Sequence, residues 1–220
     1  MRLNGYIIAI PLLLSFESRV RYVQFWPAVL ISIMIVGSLY IIWDAYVTRR
    51  GDWRFNKEYL TGRKLFGLPV EEVLFFVTTP FSCIFIYEVL RYIIPFFQIP
   101  FAPVFCLLFG VFLLVVAYWF RYQNYTRTVS TITGVTAVLL GLLAGTTIIS
   151  GHFWMALAVT YLPFVLFNGY LTSAPVVEYN PEAITGVRIG TIPIEDFIYS
   201  FAMLSSYFWV FIMAKNWLGV

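Results

Sequence analysis

The chain has 220 residues, of which 61% are hydrophobic, 20% aromatic and only 11% charged, whereas soluble domains run at about 45–50% apolar and about 25% charged. Its 22 Phe, 15 Tyr and 7 Trp outnumber the 14 basic and 11 acidic side chains together, which argues against a water-soluble domain and places most of the surface against lipid. A net charge of +3 on scattered Lys and Arg forms no basic patch, so no nucleic-acid partner is expected.

Apolar runs of roughly 20 residues predict helices, in chain order, over 3–16, 25–47, 69–94, 101–120, 129–150, 153–171 and 193–214. This is an all-α, polytopic membrane helix bundle of about seven transmembrane helices. The first run is short, but 15–19 lacks a small-x-small cleavage site ahead of its charges, so a membrane helix is expected rather than a signal peptide. Cys83 and Cys106 fall inside apolar runs and read as packing residues, not as a disulfide or metal site. Alternating the loops puts Arg2, the six bases of 48–68, Arg121, Arg127 and Arg188 on one side, and Arg19, Arg21, Arg91 and Lys215 on the other. The positive-inside rule then places the amino terminus and the 48–68 loop in the cytoplasm and the carboxyl terminus outside. With short loops elsewhere, residues 1–220 read as a single membrane domain.

The chain also resembles itself. A shift of 124 residues lays Asp44-Ala45-Tyr46-Val47-Thr48 on Asn168-Gly169-Tyr170-Leu171-Thr172, Asn56 and Glu58 on Asn180 and Glu182, and Thr61-Gly62 on Thr185-Gly186. At the same offset Leu68-Pro69-Val70-Glu71-Glu72 falls on Ile192-Pro193-Ile194-Glu195-Asp196. Helices two and three thus repeat as six and seven. An even number of helices separates the copies, so the repeats are parallel, and a 3+1+3 arrangement follows: residues 1–94 as a first three-helix repeat, 95–128 as a connector helix and loop, 129–220 as the second repeat. Residues shared by both copies then meet on the cytoplasmic side.

Pro-x-Glu-Glu and Pro-x-Glu-Asp can each serve as an ordinary helix start, with proline in the first turn and acids set against the macrodipole. Four acids repeated at the membrane boundary favour function, because a charge carried into the bilayer centre costs roughly 2.5–3.5 kcal/mol. Successive helix positions diverge by about 100°, so Glu71, which shares a face with Phe75, and Glu195, which shares one with Tyr199, are expected to form the inward pair. Glu72 and Asp196 would orient them or meet loop bases such as Arg63, Lys64 and Arg188. Carboxyls held away from water and beside one another retain protons near neutral pH, and such groups act as general acids. Asp44, opposite Asn168 in the repeat, is a weaker site residue. Glu88 has Arg91 three positions on and reads as a local pair; His152, the sole histidine, reads as a loop residue.

No two of the 14 glycines stand two apart, so the G-x-G-x-x-G of a dinucleotide site is absent. Asp44, Asp52 and Asp196 are the only aspartates, which leaves no aspartate-rich magnesium diphosphate motif, and Lys57, Lys64 and Lys215 leave no mid-span lysine for a retinal Schiff base.

Ile42-Trp43-Asp44, Phe55-Asn56-x-x-Tyr59-Leu60-Thr61-Gly62, Leu68-Pro69-Val70-Glu71-Glu72-Val73-Leu74-Phe75-Phe76, Phe167-Asn168-Gly169-x-Leu171-Thr172 and Ile192-Pro193-Ile194-Glu195-Asp196 together resemble the small integral-membrane lycopene cyclases. The likeness covers nearly the whole chain. It is to the fused form of a family that also occurs as two subunits, with Gly51-Asp52-Trp53-Arg54 more charged than the family pattern. The resemblance implies a flavin-independent cyclisation of the acyclic ψ-ends of lycopene, or a related acyclic carotenoid, to β-ionone rings, giving γ- and β-carotene in an isomerase reaction without cofactor or metal. It also implies membrane lipid around the chain, a prokaryotic plasma membrane, and contacts with other carotenoid enzymes.

The residues agree with that chemistry, since cyclisation needs an acid, a base and an apolar pocket that tolerates a cation. Glu71, Glu195, Glu72, Asp196 and Asp44 are the proton-transfer candidates, and Phe75, Phe76 and Tyr199 are candidate pocket rings. A proton-coupled small-solute transporter of the same 3+1+3 build is the alternative, and an assembly factor in a carotenoid-producing membrane complex a third reading.

Overall fold

A computed structural model describes residues 2–220, the side chain of Arg2 excepted. Helices dominate it: α1 (Arg2–Leu14), α2 (Tyr22–Arg50), α3 (Val70–Ile93), α4 (Ala102–Trp119), α5 (Asn124–Leu143), α6 (Gly151–Ser173) and α7 (Ile194–Leu218). The last six are long and apolar enough to cross a membrane, and the protein is an all-α polytopic helix bundle. α1, at 13 residues, falls short of the roughly 20 a full span needs, so the seven expected spans become six and a shorter partner. The span expected over 129–150 instead starts at Asn124 and stops at Leu143, followed by a separate turn, Gly145–Ile149.

Helix α2 is irregular. It opens with a 3-10 turn at Tyr22–Phe25, passes through a π turn at Ile33–Gly37, and ends at Gly51, whose φ of 83° only glycine adopts freely. Gly37 lies in the π turn because the Tyr207 hydroxyl occupies the space beside it, 3.0 Å from where a Cβ would stand. That hydroxyl donates to the Phe76 carbonyl at 2.9 Å, and Ser32 donates to the Tyr207 carbonyl at 2.8 Å, which ties α2, α3 and α7 together. α4 and α5 approach closely through glycines: a Cβ on Gly110 would sit 2.7 Å from the Gly134 carbonyl oxygen. The other face of α4, with Leu108, Phe112, Val115 and Trp119, is exposed as a lipid-facing surface must be.

Six short strands carry the loops between helices: β1 (Trp53–Phe55), β2 (Lys64–Leu65), β3 (Leu68–Pro69), β4 (Val177–Tyr179), β5 (Arg188–Ile189) and β6 (Ile192–Pro193). β2 and β3 form a hairpin leading into α3, and β5 and β6 form the corresponding one into α7, with Lys64 opposite Pro69 and Arg188 opposite Pro193. Proline fits as the last extended residue because it needs no amide partner. The Val70 and Ile194 amides that follow donate to Arg63 and Val187 carbonyls at 3.1 and 3.0 Å.

β1 and β4 pair antiparallel, centred on Arg54 opposite Glu178, two residues 124 apart whose side chains join at 2.7 Å. The flanking bonds, Asn56 N–H to Val176 and Asn180 N–H to Asp52, are also exchanged by the 124-residue shift. A local two-fold axis therefore runs through this ribbon. At the opposite rim Glu88 takes Lys215 at 2.8 Å and the expected Arg91 at 3.2 Å, with the ammonium 3.7 Å from the Phe25 ring centre.

Candidate functional site

Beneath the ribbon a cavity of about 390 Å³ lies between α1, α3, α6 and α7, within the usual range of about 300–1,000 Å³ for small-molecule sites. Asp44 from α2, Glu72 from the first turn of α3, Asn168 from α6 and Asp196 from the first turn of α7 reach into it. The rest of its wall is largely apolar, with Phe75, Phe76, Phe164, Phe167 and Leu204 among the lining residues.

Asp196 is held by three donors: Tyr125 OH at 2.9 Å to Oδ1, and Asn168 Nδ2 at 2.9 Å and Tyr179 OH at 2.7 Å to Oδ2. Burial, then the Asp196 carboxylate, push the Tyr179 phenol well above the usual tyrosine range, so it stays a donor at neutral pH. In the other half Asp44 faces Glu72 where Asn168 faces Asp196. Asp44 receives only a long contact from Thr48, at 3.5 Å, and its Oδ2 meets no partner. No hydrogen bond to the Glu72 carboxyl occurs among the described residues.

Rings enclose the carboxyls on the ribbon side. Trp43 stacks on Tyr199 at 4.9 Å, Trp53 meets Tyr125 edge-on at 4.9 Å, and Tyr125 lies 5.8 Å from Tyr179. The charged Gly51–Arg54 segment builds this lid: Asp52 pairs with Arg50, Arg54 with Glu178, and Trp53 is buried between them.

Glu71 and Glu195 are not in the cavity. Each accepts the amide of a loop threonine ten residues earlier, Thr61 at 2.9 Å and Thr185 at 2.7 Å, and Glu195 also accepts the hydroxyls of Thr126 and Thr185. The helical start turns the first acid of each motif toward its own hairpin and the second toward the axis. The expected inward pair is thus replaced by Glu72 and Asp196, which do not reach Arg63, Lys64 or Arg188; Arg188 instead donates to the Thr191 carbonyl. Phe75, Phe76 and Tyr199 line the cavity. His152 is buried in the first turn of α6, not in a loop, and its Nε2 lies 2.9 Å from the Ile94 carbonyl.

Trp53, Tyr125 and Tyr179 escape a reading of motifs. For Tyr179 a signal exists, since the 124-residue shift lays it on Phe55, another lining ring; Tyr125 has only residue 1 as its counterpart.

The model of the lycopene cyclase family matches residues 2–90 and 124–214. A bifunctional lycopene cyclase/phytoene synthase of Leptosphaeria maculans is 36% identical over 63 residues, covering 29% of this chain and 10% of that protein. The bifunctional lycopene cyclase/phytoene synthase of Podospora anserina is 29% identical over 59 residues, 27% of this chain and 9% of its own length. The matched region is thus about a tenth of each relative, and both are fungal, which lends nothing to the expected prokaryotic membrane. No solved structure matches. With most of its length inside the family's pattern, the chain belongs to the lycopene cyclase family.

Proposed function

We propose that the protein cyclises the ψ-ends of lycopene, or of a related acyclic carotenoid, to β-ionone rings by proton transfer alone. The observation that supports this best is the meeting of three carboxyls in a largely apolar, ring-walled cavity. Two carboxyls near each other in an apolar cavity repel when both are charged, so one of Asp44 and Glu72 holds a proton. Asp196, held by three donors that suit an anion, is the base.

The Asp44–Glu72 pair gives its proton to the terminal double bond and leaves a tertiary cation; the next double bond attacks it and closes a six-membered ring. Asp196 then removes a ring proton and the alkene is restored. One proton enters, one leaves, and substrate and product have the same composition, so no electron acceptor or donor is required. Trp53, Tyr125 and Tyr199, which line the cavity, supply negative quadrupole density around the passing cation. Glu71 and Glu195 hold the hairpins that aim Glu72 and Asp196.

The ribbon side of the bundle carries ten of the 14 basic residues, and on the positive-inside rule it faces the cytoplasm. The 124-residue symmetry of the ribbon and hairpins supports a division into two three-helix repeats joined by α4. Expressing the chain in a lycopene-accumulating bacterium and separating the pigments tests the reading. New monocyclic or bicyclic carotenoids are expected; unchanged lycopene at normal protein levels refutes it, and solute flux without a new pigment would favour transport.

A further inference from the structure

The main cavity has a smaller counterpart. Between α2, α5 and α7 lies a second cavity of about 300 Å³. The 124-residue shift carries its α2 wall, Val36, Leu39, Tyr40 and Trp43, onto Thr160, Pro163, Phe164 and Phe167, and its α7 wall, Ser206, Trp209 and Val210, onto Ser82, Phe85 and Ile86. Those seven counterparts line the main cavity, while Val159, Ile8 and Leu12, the counterparts of Ile35 on α2 and of Ile132 and Thr136 on α5, do not. The local two-fold axis therefore relates not only the ribbon and hairpins but also two hydrophobic chambers.

They differ in their access to the acids. Trp43 stacked on Tyr199 at 4.9 Å, with Tyr40 edge-on to Tyr199 at 5.4 Å, stands between the second cavity and the carboxyls. In the main cavity the corresponding positions are Phe167, Phe75 and Phe164, and all three border one continuous space with Glu72 and Asp196. No carboxyl, amine, guanidinium or imidazole lines the second cavity, and the Ser206 hydroxyl is engaged by the Ala202 carbonyl at 2.8 Å. Ile35 and Val36 belong to the π turn of α2, a local widening of a helix that recurs at binding sites.

We propose that the second cavity is a non-reacting seat for a linear isoprenoid hydrocarbon chain, the ligand class of the main cavity, closed off from the carboxyls by the Trp43–Tyr199 stack. The ligand class rests on the cyclase reading of the main site. The seat itself rests on the shared wall pattern and on the absence of charge within it.

The full chain, purified in detergent, is saturated with lycopene, freed of excess by gel filtration, and assayed for carotenoid and phospholipid per chain against empty micelles. Two carotenoid molecules per chain are expected in the wild type, and one in Val36→Phe and in Leu39→Trp, which fill the seat from successive turns of α2. A wild type that saturates at one overturns the proposal without reference to any variant. So does a second carotenoid that survives both substitutions, and so does one carotenoid accompanied by a phospholipid that Val36→Phe expels, which would assign the space to an acyl chain. Ring formation is read by chromatography in the same samples. Two bound carotenoids with no ring formed would overturn the cyclase reading and leave the seat in place.

Discussion

At the residue scale the adjacent acids of each motif have opposite duties. Glu72→Gln and Asp196→Asn are expected to lower cyclisation at least about 100-fold, the lower end of what general acid–base catalysis supplies, with normal membrane insertion. Glu71→Gln and Glu195→Gln retain an acceptor oxygen for Thr61 and Thr185 and are expected to keep most activity; loss equal to that of the Glu72 variant at matched protein levels would return the chemistry to the first acid. Asp44→Asn is more telling than its size suggests. It gives Glu72 an amide neighbour of the kind Asn168 gives Asp196, removes the shared proton, and should be as inactive as Glu72→Gln. Tyr179→Phe deletes a hydrogen bond to a charged group, a loss of about 1.5–3 kcal/mol, and is expected to slow turnover at least about tenfold; because its phenol is held well above the usual tyrosine range, the effect should persist unchanged through mildly alkaline pH. The motif and its repetition were legible in the sequence, but the choice between neighbours was not. Helical geometry sets the angle between Glu71 and Glu72, while the absolute rotation is fixed by where the hairpin strikes the helix, and the amide of Thr61 settles that from ten residues away.

At the element scale the two halves reuse one design with local substitutions that the backbone has to accommodate. The turn between β2 and β3 places Phe66 at a φ of 56°, where the second hairpin has Gly190 at 63°. A left-handed non-glycine residue costs roughly 1–2 kcal/mol, so Phe66→Gly is expected to raise thermal stability and Gly190→Phe to lower it, as measured by the melting temperature in detergent. At the far rim Glu88→Ala leaves Lys215 half-enclosed against Phe25 and Phe211 with its carboxylate removed. Breaking a buried pair from one side costs about 3–5 kcal/mol, and a fall in melting temperature larger than that of Arg91→Ala, whose side chain is more exposed, is the expected result. Hydropathy alone gave most of the helices to within a few residues, because lipid exposure writes itself into composition, but it set α5 five to seven residues too late. It overestimated α1, whose 13 residues carry buried Asn4 in hydrogen bonds to the Glu71 carbonyl and to Thr78; a run of apolar letters does not distinguish a helix that spans from one that packs against a span. His152 was likewise misplaced, since the break between α5 and α6 is closed by the turn at Gly145–Ile149 and not by a loop.

At the scale of the whole molecule the proposed reaction leaves a mark that no side reaction reproduces. If the first proton comes from the Asp44–Glu72 pair and that pair re-equilibrates with water between turnovers, each ring made in D₂O carries one non-exchangeable deuterium and no second. Mass spectrometry of the pigments reads this directly, and unlabelled rings after many turnovers would remove the carboxyls from the role of donor. Activity of purified protein on lycopene without added flavin, nicotinamide or metal is expected from the balance of the reaction, and an absolute need for reduced flavin would contradict it. The ribbon on the two-fold axis bears on how such a chain can be assembled. A symmetric pair of identical halves would set each axial residue against its own copy, arginine against arginine or glutamate against glutamate. Here the axis falls between Arg54 and Glu178, so the ribbon joins unlike charges where two identical halves would set like against like, and two polypeptides cut within 95–101 and made together in one cell are expected to copurify as mixed couples without a covalent tether.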